Sequence, residues 1–325
     1  MITVLAGGVG AARLLRGMVR AVPADEVTAI VNTADDLVLH GLSISPDLDT
    51  VTYTLAEAVN PETGWGLVGE TWQAMDALER LGGPTWFRLG DRDLGTHLHR
   101  TGRLADGAGL TEVTAEITRA FDIDARLLPM TEDRVTTMVT LAAGTEVGFQ
   151  DYFVGLRHEV AISSVRFAGV EKARPAPGVL DAISSASTVV LAPSNPIVSI
   201  GPVVAVPGIS DALAARRDDV VAVSPIVAGL ALKGPAARML RELGHEPTVV
   251  GVARLYCDLA ATLVVDTADA ELAGAVEAAG MTCLVAPTVM TDLDVATNLC
   301  RTLLSTDPST GPHADQPAES PTGTF

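Results

Sequence analysis

Aromatic residues are scarce: three Trp, three Tyr and six Phe make up 4% of the 325 residues, so a core has to be built mainly from Ala, Val and Leu. Cysteine is nearly absent. Cys257, Cys283 and Cys300 form an odd set without CxxC spacing, which fits reduced thiols better than a disulfide scaffold or a zinc site. Basic charge is also in deficit. Against 40 Asp and Glu there are 22 Lys and Arg, and a net charge of −18 repels a nucleic-acid backbone or an acidic membrane surface. Any phosphate ligand must therefore be held locally, by backbone N–H groups, a few cations or a metal. Long apolar runs are missing as well: Val220 to Leu232 is the most hydrophobic stretch and is interrupted by Ser224 and Pro225, well short of the ~20 residues that cross a bilayer. The first residues, Met1 to Leu5, lack the basic start of a secretory signal. The expectation is a soluble, cytoplasmic protein.

What is present is 48% hydrophobic and 19% charged residues, the balance of a folded chain rather than a disordered or fibrous one. At ~150 residues per domain the length suits two domains, or one large α/β domain with an insertion. Ile2 to Leu5 is an apolar run that leads into Gly7-Gly8-Val9-Gly10 and a helix-like segment, Ala11 to Val22. Val27 to Asn32 reads as a second strand. Thr188–Ala192, Val220–Val223, Leu263–Asp266 and Cys283–Ala286 continue the pattern, with helix-like stretches around Pro207–Ala215, Pro235–Leu243 and Ala270–Ala279. Continuous apolar strands alternating with helices predict a doubly wound, mostly parallel, Rossmann-like α/β sheet. The core is expected at residues 1–50 and 160–304, and a mainly helical insertion at 51–159 is expected to cover the site. Helices are expected there at Val51–Val59, Glu70–Leu81 and Thr111–Phe121. The polar, Pro/Gly-rich segment 305–325 is expected to be a disordered tail.

The glycine turn 7–10 falls where a strand meets a helix N-terminus, so it is either a phosphate cradle or a turn shaped for packing. It is not the full GxGxxG pattern, and no His/Asp pair suits a dehydrogenase. Asp35 and Asp36 follow the second strand at the ligand-binding edge of such sheets, and Asp47 and Asp49 come soon after. Asp47 and Asp49, at i and i+2 of an extended loop, form a hard-oxygen pair suited to magnesium, or one of them accepts a substrate proton. Alternatively they are solvated, with Asp49 or Thr50 capping a helix. Residues Trp86 to His97 concentrate two aromatics, Arg88, Arg92, Asp91, Asp93 and a histidine. These either bind an anion and stack on a planar ring, or form a salt-bridged turn with Asp93 capping a helix from Leu94. His97 and His99, two apart, do not share a helical face and make no two-His metal site. The turn Ser194-Asn195-Pro196 with Ser199 offers polar donors after a strand. Lys233 precedes a helix opened by Pro235 and is either a phosphate contact or a surface lysine.

Taken together, LAGGVGAAR (5–13), HGLSISPDLDTVTYTLA (40–56), WFRLGDRDLGTHL (86–98), ARLLPMTEDR (125–134), FQDYFV (149–154), LAPSNPIVSIGP (191–202) and VSPIVAGLALKGPA (223–236) resemble the 2-phospho-L-lactate transferase family of coenzyme F-420 biosynthesis. The resemblance runs from Val4 to about Leu304. It implies a magnesium-dependent transferase that moves a phosphoenolpyruvyl or 2-phospho-L-lactyl group from a guanosine diphosphate donor to the ribityl hydroxyl of the deazaflavin Fo, releasing GMP. By that resemblance Gly7, Gly8, Gly10, Ser194, Asn195, Pro196, Ser199 and Lys233 hold the nucleotide, and Asp47 and Asp49 hold magnesium. Asp49, Arg92, Trp86, Asp36 and His40 contact Fo, and Asp49, Asp47 and Arg92 are catalytic. Ala11 and Gly95 depart from the family pattern in detail. A homodimer is the default for an enzyme of this size. A second reading is a nucleotide-sugar-binding regulator resembling gluconeogenesis factors, which share the fold and the glycine turn.

Overall fold

The structure, a computed structural model, describes residues 1–231 and 234–305. The chain opens with β1 (Ile2–Ala6), β2 (Val27–Val31) and a hairpin of β3 (Leu37–Leu39) and β4 (Leu42–Ile44). It continues with β5 (Arg126–Pro129) and an antiparallel group of β6 (Thr136–Leu141), β7 (Glu146–Gly148) and β8 (Ile162–Ala168). Then come β9 (Thr188–Leu191), β10 (Val220–Val223), a short hairpin of β11 (Ile226–Val227) and β12 (Leu230–Ala231), β13 (Thr262–Val265) and β14 (Thr282–Val285). The main sheet is parallel throughout and ordered β14-β13-β10-β9-β1-β2-β5. The doubly wound, Rossmann-like α/β class expected from the apolar runs is what forms.

The continuous apolar strands feed two cores, one on each face of the sheet. Leu5, Ile30, Leu191 and Leu263 point to one, while Val4, Ala6, Val31, Val190 and Val264 point to the other. A strand hydrophobic on both sides has no solvent face, so its place is the middle of a helix-covered sheet. Helix α1 (Gly8–Ala21) buries Ala11, Ala12, Leu14, Leu15 and Met18 against the second core. At Gly17 it meets the C-terminal helix Leu293–Leu304 so closely that an added Cβ would lie 2.6 Å from the Ala296 carbonyl carbon.

From β1 the chain builds outward to β2 and β5, then crosses back to β9 on the other side of β1. The order therefore reverses between β1 and β9, and the turns that leave these two strands diverge there into a crevice, the usual ligand position of such sheets.

Several expectations need correcting. The segment 51–159 is not one insertion, because β5 lies inside it and pairs with β2 from Thr28↔Arg126 to Val31↔Pro129. Pro129 lacks a ladder N–H and is tolerated because β5 is an edge strand. The antiparallel group runs on to Ala168, past the expected boundary. The helix expected from Val51 starts earlier, as α2 (Pro46–Leu55), because Pro46 supplies a helix-ready φ at the first helical position and Ser45 stands at the N-cap. Asp49 and Thr50 are thus inside the helix rather than capping it. Helices α3 (Gln73–Arg80), α4 (Asp93–Ala105) and α5 (Leu110–Ala120) complete the covering layer. The stretch expected as one helix at Ala270–Ala279 is split into a tight turn, Thr267–Leu272, and the helix Ala273–Ala278. The expected tail lies outside the described residues beyond Ser305, and so does Lys233.

Candidate functional site

The glycine turn closes the carboxyl end of β1. An added Cβ on Gly7 would lie 2.8 Å from Ser199 Cβ and 3.0 Å from Asp47 Oδ2, and one on Gly10 would lie 2.5 Å from the Pro193 carbonyl oxygen. Gly8 has φ of +70°, a left-handed conformation that a side chain strains. The turn thus needs glycine to let the loop after β9 and the start of α2 approach it. Ser194 Oγ donates to the Gly7 carbonyl at 2.8 Å, tying the two turns across the reversal of strand order. Asn195 Oδ1 accepts from the Ile197 N–H at 2.9 Å and caps the helical turn Pro196–Ile200, leaving its amide nitrogen facing only the Met239 thioether at 3.5 Å. A thioether is a weak acceptor, so that amide is the donor free for a ligand. Gly7, Gly8, Gly10, Ser194, Asn195, Pro196 and Ser199 do converge, although Ser194 spends its hydroxyl on the backbone.

The carboxylates gather around the α2 N-terminus, Asp35 with Asp47 on one side and Asp49 with Asp93 on the other, while Asp36 feels the charges of both Asp47 and Asp49. Asn32, at the end of β2, donates its amide nitrogen to Asp35 Oδ2 and to Asp47 Oδ2, each at 3.0 Å. Burial pushes the Asp47 carboxyl up to about 6, opposed by the Asn32 amide and the Gly8 N–H. Burial, with the Asp47 charge beside it, raises Asp35 well above the usual carboxylate range, against the opposing Thr137 hydroxyl. Asp36 is raised by burial too, although Ser45 Oγ donates to it at 2.6 Å. Asp35 Oδ1 and Asp36 Oδ1 are buried without a hydrogen-bond partner. Asp35 and Asp47 together make an oxygen-rich setting short of positive charge, whereas Asp36 also feels the Arg100 guanidinium.

Asp49 turns the other way. Successive helical residues rotate by about 100°, so Asp47 and Asp49 in the first turn of α2 point nearly opposite ways. The extended-loop reading placed them side by side, and the helix separates them. Asp49 receives both terminal nitrogens of Arg100, with Nη1 to Oδ2 at 3.2 Å. Arg100 is 2% exposed. His97, also buried, has Nδ1 3.7 Å from Asp49 Oδ2 and Nε2 3.3 Å from Asp93 Oδ2, and Tyr53 Oη donates to Asp93 Oδ1 at 2.5 Å. Burial raises the Asp49 carboxyl, and the Arg100 guanidinium opposes it. Asp49, Asp93 and His97 each present a ligand atom within 4.8 Å of the others, so the group has the spacing to hold a metal ion. Arg100, His97 and Tyr53 were missed as a site by sequence reasoning. Their signal is Asp93, His97 and Arg100 at i, i+4 and i+7 on one face of α4. His99 faces away and bonds Glu116 at 3.0 Å, as the two-residue spacing predicts.

The remaining expected contacts are placed as follows. Arg92 donates its backbone N–H to Glu70 Oε2 at 2.8 Å and Nη1 to the Val68 carbonyl at 2.5 Å, so it braces the loop before α3. Asp91 accepts from Thr71 and from the Gln73 and Ala74 N–H groups rather than pairing with an arginine. Asp93 begins α4 without acting as a side-chain cap and faces Tyr53 and His97 instead. Trp86 is half-exposed, edge-on to Phe87, and Arg88 lies over the Trp72 ring at 4.5 Å. A small cavity lined by Trp65, Trp72, Glu70, Gly90 and Asp93 reaches the Asp93 end of the buried group. His40 sits in the β3–β4 turn with φ of +54°, its Nε2 buried without a partner, and the structure shows no contact between it and Asp49. A larger open groove of about 400 Å³ lies behind the Pro196 turn, among Ser163, Phe167, Ile197, Leu243 and His245, away from the carboxylates.

The fold and this site define a doubly wound α/β protein with a carboxylate-lined glycine turn at its topological switch point. The chain belongs to the 2-phospho-L-lactate transferase CofD family, whose model matches residues 2–298, and it is an enzyme of the transferase class. It is 46% identical over 310 residues to a phosphoenolpyruvate transferase of Kitasatospora aureofaciens, covering 94% of this chain and 97% of that one. It is 40% identical over 277 residues to a 2-phospho-L-lactate transferase of Methanothermobacter thermautotrophicus, covering 85% and 88%. Among solved structures, a Bacillus halodurans protein of the UPF0052 family superposes with a TM-score of 0.65 at 19% identity, covering 93% of this chain and 98% of that one, a likeness of fold alone. Among the described residues no helix is long and apolar enough to cross a membrane.

Proposed function

We propose that the enzyme transfers a phosphoenolpyruvyl or 2-phospho-L-lactyl group from a guanosine diphosphate donor to the ribityl hydroxyl of Fo, releasing GMP. The observation that carries this reading is the first turn of α2, which lays Asp47 on the glycine turn and sends Asp49 into the Arg100 group. A donor diphosphate and an acceptor hydroxyl brought to the two sides of one helical turn would meet there. The glycine turn offers N–H groups and the positive end of the α1 dipole to the diphosphate. The acceptor oxygen attacks the phosphorus that carries the three-carbon acid, the phosphoanhydride bond breaks, and GMP leaves with the bonding electrons. Asp49 takes the hydroxyl proton, and the fixed geometry replaces a bimolecular encounter.

Magnesium fits the Asp47 side better than the Asp49 side. Magnesium prefers oxygen ligands and is commonly held by one or two carboxylates plus substrate phosphates. Asp47 with Asp35 supplies such oxygens, whereas the other group includes an imidazole and an arginine. When bound, the ion would neutralise diphosphate charge in a chain that already carries a net −18. In this reading the deazaflavin approaches from the side of the small Trp65–Trp72 cavity beside Asp93, and Trp86, Arg92, Asp36 and His40 are the further Fo contacts that the family resemblance suggests. A cytoplasmic homodimer completes the reading, checked by light scattering.

The test is a mass-resolved assay of the purified protein with Fo, magnesium and each of the two guanosine diphosphate donors. GMP release with an Fo adduct is expected, and the adduct mass names the donor. Nucleotide binding without any adduct would overturn the transferase reading in favour of a nucleotide-binding regulator.

A further inference from the structure

We propose that Arg100 is a positioning residue whose guanidinium is the resident cation of the Asp49–Asp93–His97 group, holding the Asp49 carboxylate in place and keeping a divalent metal out. This inference rests on the reading of Asp49 as the acceptor-side carboxylate.

A guanidinium only donates. Arg100 Nη1 lies 3.3 Å from His97 Nδ1, so that nitrogen must present its lone pair to Arg100. The imidazole proton then sits on Nε2, 3.3 Å from Asp93 Oδ2. The Nδ1 lone pair is thus taken by Arg100, and Nε2, which stands near Asp93 without a hydrogen bond to it, carries the proton and has no lone pair to offer a metal.

The same guanidinium spans both Asp49 oxygens and reaches the Ser43 carbonyl at 3.4 Å, which anchors it to β4. A planar fork on a carboxylate fixes its orientation in a way that a point charge cannot. Tyr53 and Asp93 close the far side of the imidazole. Asp49, Asp93 and Tyr53 are therefore already partnered around an organic cation, while His97 Nε2 and Arg100 Nε are buried without a hydrogen-bond partner.

The experiment uses the full-length chain and Mn²⁺ as the metal probe, titrated by electron paramagnetic resonance. His97→Asn is expected to leave the Mn²⁺ dissociation constant within two-fold of the parent. A ten-fold weakening would place a metal on the His97 group and overturn the proposal. In turnover, Arg100→Gln is expected to lower kcat at least 100-fold with the nucleotide KM within two-fold, and Arg100→Lys to recover at least ten-fold of that loss. The double variant Asp49→Asn/Arg100→Gln buries no unpaired charge and is expected to be no slower than Asp49→Asn alone. Losses that multiply would show that Arg100 acts independently of Asp49, against the proposal. If the parent enzyme yields no Fo adduct, the functional reading fails by itself, and the Mn²⁺ titration still decides whether the His97 group takes a metal.

Discussion

At Gly10 the space for a side chain is taken by the Pro193 carbonyl, 2.5 Å from where a Cβ would stand. Gly10→Ala is expected to push the β9 loop away from the glycine turn, costing about 1–3 kcal/mol in thermal unfolding and raising the nucleotide KM more than that of the acceptor. Asp47 has the opposite relation to stability. Its folded-state pKa of about 6 lies above the ordinary carboxylate value, so the folded protein holds the proton longer than the unfolded chain. Whatever stability this carboxyl contributes is full below about pH 4 and is lost as pH rises through about 6. Asp47→Asn is therefore expected to be more stable than the parent at pH 7, by up to about 3 kcal/mol, with the gap closing on acidification to pH 4. Calorimetry at three pH values checks this, and magnesium is expected to narrow the gap at pH 7 by binding the parent alone. Asp49→Asn behaves differently because it strands the buried Arg100 charge. It is expected to lower stability by about 3–5 kcal/mol, most of which returns when Arg100 is also made neutral.

At the scale of elements, the strands were legible and the helix starts were less so. Val220–Val223 is apolar at every position and Val27–Val31 at all but Thr28, as expected of strands buried on both faces. The start of α2 was hidden because its first turn is polar. Pro46 and Ser45 were the available signal, and placing the helix there would have sent Asp47 and Asp49 to different sides. β5 was obscured by its length of four residues and by Arg126 and Pro129 at its ends, tolerable on an edge. The contact between α1 and the C-terminal helix depends on Gly17 and Ala296, small residues that carry no periodic signal. Gly17→Ala is expected to force those helices apart and lower Tm by several degrees, equivalent to about 1–3 kcal/mol, measured by thermal unfolding.

At the scale of the whole molecule, the −18 charge predicts no retention of the purified protein on immobilised DNA or heparin at low salt, and retention would contradict the reading of a polyanion-averse surface. The sequence by itself determined the parallel α/β class, the glycine turn, the polar loops after the strands and the family to which they point, because each of these is local: an apolar run, a missing side chain, a motif. Only the tertiary structure decided which carboxylate meets which partner. Asn32 reaches Asp47 fifteen residues on, and Arg100 reaches Asp49 across fifty-one. Such pairs are set by how α2 packs on α1 and α4 on the β3–β4 hairpin, where a rotation of about 100° per residue separates neighbours in sequence and burial makes any charge without a partner too costly to keep.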